Sequence, residues 1–171
     1  MNMSKLDNSK FELEYRLTGT GWASCRVAIN EKSTKVTASY LSDGLGELAD
    51  AIRHISAGGE TAKCSFDEEP GEYRWIFNKL INQRIRIVLL FFDELWGGKP
   101  DTEGQLLVDE LCDLRELDIA TKIMLENVLL ENGLDGYKEK WSEHDFPLDS
   151  YLWFCNKLNT PPIEAAQKLK A

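Results

Sequence analysis

Asp67, Glu68, Glu69 and Glu72 crowd into six residues around Pro70-Gly71, with Tyr73 and Trp75 close behind. Carboxylates this dense could pair for acid–base catalysis, coordinate a hard cation, or recognise a basic partner. Pro70-Gly71 suits the central pair of a type II turn, since Pro presets φ and Gly supplies the positive φ that follows. Such a turn lifts the four acids to a surface tip and sets Tyr73 and Trp75 on one face of the strand behind it. A second acidic stretch, Asp93 to Gly104, holds Asp93, Glu94, Trp96, Asp101 and Glu103 in a loop rich in Gly and Pro.

The elements around these loops should bring them together. Period-two alternation predicts strands at 60–66, 72–80, 84–92 and 105–111. In an antiparallel meander alternate loops share one end of the sheet. Asp67, Glu68, Glu69 and Glu72 would then converge with Asp93, Glu94, Asp101 and Glu103, with Trp96 among them and only Lys99 and Arg74 as local counter-charge. These nine residues are the expected partner-binding set: the charges steer association and the indole anchors it. Catalysis would need one carboxyl buried with a raised pKa, and Glu68 and Glu69 read as exposed. A calcium loop would need Asp-x-Asp-x-Asp-Gly spacing, which the sequence lacks.

Other chemistry leaves little trace. His54 lies beside the apolar stripe of a predicted helix, and His144 sits in a polar connector with no nucleophile beside it. A triad assembled only in space stays open, but there is no nucleophile elbow, P-loop or dinucleotide fingerprint. Cys25, Cys64, Cys112 and Cys155 form no CxxC pair, so they read as buried apolar residues in a reducing compartment. No catalytic residue, metal or cofactor is expected. With 29 acidic against 20 basic residues the net charge is −9. That balance argues against direct binding to nucleic acid or an anionic membrane and suits a basic protein partner. The N-terminal residues carry no apolar signal region, and the most apolar run, 85–92, is too short to span a bilayer. A cytoplasmic location is the expectation.

Further strands are predicted at 11–17, 22–29 and 34–41, the last with Val36, Ala38 and Tyr40 inward. A helix over 43–57 starts at Asp43 as N-cap and stops at Gly58-Gly59, and another spans 114–132 up to Asn132-Gly133. Shorter helices are predicted at 148–158 and 163–170. On the 84–92 strand Ile85, Ile87, Leu89 and Phe91 share one face, yet Val88, Leu90 and Phe92 make the other apolar too, so a further segment must cover it. Tyr73, Trp75, Phe77, Ile85, Ile87, Leu89 and Phe91 are the expected core. The fold class is α+β, a mostly antiparallel sheet of about seven strands with helices on one face. One domain over 1–171 is expected, with a flexible 1–10 segment, an appended helix or tail at 159–171, and a monomeric or weakly dimeric state.

Ser39-Tyr40-Leu41-Ser42-Asp43-Gly44-Leu45-Gly46-Glu47-Leu48, then Asp67 to Trp75, then Gly136-Tyr137-x-x-x-Trp141 before Phe146-Pro147, form a pattern spread over about residues 10–155. It resembles small bacterial proteins encoded beside polymorphic toxins, including immunity proteins of contact-dependent growth inhibition systems. That resemblance implies a cytoplasmic, non-enzymatic inhibitor that binds the toxic domain of a delivered effector, commonly a nuclease. It transfers no functional residues. A small hydrolase or metal-dependent enzyme using the acidic edge, or a general interaction module, are the alternatives the residues leave open.

Overall fold

The structure is a computed structural model that describes residues 10–142 and 144–167. Three strands, β1 (Phe11–Gly19), β2 (Trp22–Ile29) and β3 (Lys32–Ser39), pair in sequence as one antiparallel sheet. Helix α1 (Gly44–Ser56) leads to a second antiparallel sheet, β4 (Thr61–Glu68), β5 (Gly71–Lys79), β6 (Arg84–Phe92) and β7 (Gln105–Asp113), again in sequence order. Helices α2 (Leu114–Lys140), α3 (Leu148–Lys157) and α4 (Glu164–Gln167) complete the chain. The fold is α+β, and the seven strands are divided between two sheets. β3 and β4 lie side by side where the sheets meet, α1 packs on β4 and β5, and α2 packs on β1. Among the described residues no helix is long and apolar enough to cross a membrane.

Local chemistry sets the boundaries. Asp43 caps α1, its carboxylate accepting from the Gly46 amide at 3.2 Å. Leu45, Leu48, Ala49, Ile52 and Ile55 then recur at helical spacing and are fully buried, so packing of this one face holds the helix. Gly133, with φ +66°, interrupts α2 where the Asn132-Gly133 signal stands, but a further helical stretch reaches Lys140. β3 ends at Ser39, so Tyr40 lies beyond the strand and is exposed instead of facing inward.

One hydrophobic core runs from β1 through both sheets into α1, α2 and α3. Of the predicted core residues Trp75, Phe77, Ile85, Ile87 and Leu89 are buried. Tyr73 and Phe91 are half-buried and face each other at the sheet end, with ring centroids 5.1 Å apart. Ile76, Leu90 and Phe92 form a separate cluster on the outer face of the second sheet. The 93–104 loop returns over it: a side chain at Gly104 would meet the Phe92 ring at 2.8 Å and Leu90 Cβ at 2.9 Å. That loop is the cover the apolar second face of β6 requires.

The cysteines are free and buried, and burial pushes the Cys112 thiol up to about 12. The expectations for residues 1–9 and for a terminal helix past Gln167 lie outside the described residues.

Candidate functional site

The meander brings the two acidic loops to one end of the second sheet. Asp67 pairs across with Glu72, and Glu72 pairs with Phe92, where the 93–104 loop begins. Glu69 and Pro70 alone connect β4 to β5 through a cis peptide. Pro70 therefore stands third in the four-residue turn, and Gly71 is already strand. The predicted type II turn, with Pro70 second and Gly71 third, is replaced by a turn of the same length set one residue earlier, which pairs Asp67 with Glu72 in the ladder.

That change of turn alters what each acid can do. Asp67 and Glu72 are only 8% exposed, so neither is lifted to the tip. They face each other as like charges on the outer face of the sheet, an arrangement that needs compensation. Arg74 supplies it for Glu72, with Nε 3.0 Å from Oε1, while the Ser65 hydroxyl donates to the same oxygen at 2.7 Å. Asp67 takes a hydrogen bond from the Trp96 side chain, and burial, opposed by that bond, holds its carboxyl above the ordinary aspartate range. Glu68 points to the inner face, half-buried, and accepts from Thr37 Oγ1 at 3.1 Å across the junction of the sheets.

The second loop is clasped by cations. Arg74 Nη1 reaches Asp101 at 2.8 Å and the Lys99 carbonyl at 2.9 Å, and its guanidinium lies 4.2 Å above the Phe92 ring. Asp101 also pairs with Lys63, a cation on β4 that lies 38 residues away in the chain. Lys99 sits 3.0 Å from Asp93 and 3.7 Å from Glu94. What remains outward is Glu69, Asp93, Glu94 and Glu103, together with Trp96 at 75% exposure. The nine predicted residues thus divide by role. Asp67, Glu72 and Asp101 are tied into the loop's own anchorage, Glu68 joins the two sheets, and five offer an exposed surface. Arg74, expected only as local counter-charge, organises the site by joining Glu72, Asp101 and the Lys99 carbonyl.

Among the described residues no group of three or more His, Cys, Asp or Glu side chains could hold a metal ion. His54 is exposed, and His144 lies near enough to Asp43 for its charge to lower that carboxyl's pKa. Tyr137, Trp141 and Tyr151 are fully buried. Trp153 is half-buried beneath Arg53 and Lys157. The reason is contact at long range: Trp141 closes against Tyr15 of β1, and the Tyr151 hydroxyl reaches Glu126 of α2 at 2.9 Å. The rings of Tyr137, Trp141 and Tyr151 are therefore interior and closed to a partner.

Comparison with protein-family models, curated proteins and solved structures returned no match.

Proposed function

We propose that this chain is a bacterial immunity protein that binds the toxic domain of a delivered effector and neutralises it without catalysis. The observation that carries the reading is the exposed Trp96 indole set among the outward carboxylates of Glu69, Asp93, Glu94 and Glu103. Its loop is held on the sheet by Arg74 and Lys63, which reach Asp101, and by Arg74 on the Lys99 carbonyl. A held aromatic ringed by negative charge suits a basic cleft: charge accelerates encounter, and burial of the ring slows dissociation. A nuclease presents such a cleft, because it must bind phosphate backbone, and surface carboxylates can occupy the phosphate positions. The net charge of −9 extends the same field over the molecule. The resemblance to toxin-associated immunity proteins points to the same partner and to action in the cytoplasm of the producing cell.

Co-expression tests the reading. The open reading frame that ends immediately upstream of this chain's gene should arrest growth when expressed alone and be tolerated beside this chain. Growth that is unaffected by the upstream frame alone, or killing in both cases, would reject the reading.

A further inference from the structure

Uncommitted cations are the anomaly in a chain with 29 acids and 20 bases. Nearly every described Lys and Arg has a carboxylate, hydroxyl, carbonyl or ring as partner. The side chains of Lys35, Lys79 and Arg115 have none among the described residues. Two of these three, Lys79 and Arg115, line the same cavity, about 540 Å³ in volume, where the end of α1, the start of α2 and the end of α3 meet. The carboxylates lining it are engaged already. Asp118, 2% exposed, accepts from the Ser56 hydroxyl and holds Lys157 Nζ at 2.7 Å. Asp113 caps α2 by accepting from the Arg115 backbone amide at 2.9 Å. Lys157 is fixed further by the Ser56 carbonyl at 3.0 Å. The lining therefore carries three cations against two carboxylates, and Lys79 and Arg115 are the cations that no carboxylate engages.

We infer that this cavity binds a small phosphomonoester, its phosphate held by Lys79 and Arg115 and its organic body lying against Leu114 and Leu158. Arg presents a planar fork that fits phosphate oxygens two at a time, and Lys adds a point charge. A bare phosphate would leave most of 540 Å³ unfilled, whereas the volume lies within the range of small-molecule sites. Gln83, which also lines the cavity, has φ +57° in the tight β5–β6 turn, a position that glycine or asparagine more commonly takes. Its amide can both donate and accept, which suits the ester oxygen or a sugar hydroxyl. The site lies apart from the acidic edge and does not depend on the toxin-binding reading.

Titration calorimetry and amide chemical-shift mapping with inorganic phosphate, ribose 5-phosphate, adenosine monophosphate and adenosine test the inference. Saturable binding of at least one phosphomonoester is expected, with shifts gathered on Gln83, Arg115 and Lys157 and none caused by adenosine. Inorganic phosphate should bind more weakly than the esters. The double variant Lys79→Ala/Arg115→Ala should weaken binding about tenfold or more, since two charge-assisted contacts are lost. Lys35→Ala, which removes the third uncommitted cation, should leave binding unchanged. Three results would overturn the inference: no saturable binding of any ester up to about 10 mM, adenosine binding as tightly as its monophosphate, or wild-type affinity in a folded double variant. The shift mapping needs no variant, so scattered shifts on wild-type protein also reject the site.

Discussion

Trp75 places the largest side chain in the interior, with its ring centroid 5.7 Å from Phe66 and stacked 6.3 Å from Phe77. Trp75→Ala should lower stability by about 3–5 kcal/mol, because the neighbouring strands cannot close over the space left behind. Urea unfolding of both proteins measures this, and a loss below about 1 kcal/mol would mean that the core relaxes around the gap. Asp43 makes a different demand. Burial raises its carboxyl above the ordinary aspartate range; the Gly46 amide and His144 oppose the shift, while Asp50 and Asp145 add to it. A carboxyl raised in the folded state binds its proton more tightly there than when unfolded. Its ionised form therefore costs stability above the raised value, and the cost disappears below the unfolded value of about 3.9. Asp43→Asn keeps an oxygen for the Gly46 amide and removes the charge. The variant should be more stable than wild type at neutral pH, and the difference should close on acidification. Unfolding curves at several pH values decide it, and a less stable variant at neutral pH would put the helix-dipole attraction ahead of burial.

Elements constrain one another through a few side chains. Arg74 is the clasp between β5 and the 93–104 loop, with contacts to Glu72, Asp101, the Lys99 carbonyl and the Phe92 ring. Arg74→Ala leaves the largely buried Glu72 carboxylate without its cation and should cost about 1.5–3 kcal/mol. The effect should also be local. Amides of the 93–104 loop should exchange with solvent faster in hydrogen-exchange measurements, while those of β1–β3 keep their protection. Uniformly faster exchange would mean that the loop and the sheet open together.

The exposed acids act at the scale of the whole molecule, because a long-range field sums over many charges. Replacing Glu69, Asp93, Glu94 and Glu103 by their amides should slow association with the toxin domain proposed as partner and flatten the dependence of that rate on salt. Folding stability should stay within about 0.5 kcal/mol, since exposed side chains of this kind contribute little. Association kinetics at low and high salt are the measurement. Equal rates for variant and wild type would move the interface away from this edge.

The sequence by itself determined the elements. Alternation placed all seven strands, helical spacing and Asp43 placed α1, and Asn132-Gly133 marked the break in α2. It also brought the two acidic loops to one sheet end, because a meander with short connections leaves little other choice. These signals are local, set by neighbours within a few residues. Tertiary structure decided where the sheet divides, which acids are spent on anchorage, and which aromatics are interior. Asp101 meets Lys63 across 38 residues and Arg74 across 27. The indole of Trp141, at the end of α2, contacts Tyr15 on the first strand. Pairing of Asp67 with Glu72 likewise depended on a hairpin turn set one residue earlier than the Pro-Gly signal suggests. An acidic residue looks the same in sequence whether it meets water or a guanidinium, and only the packed chain brings that guanidinium within 3 Å.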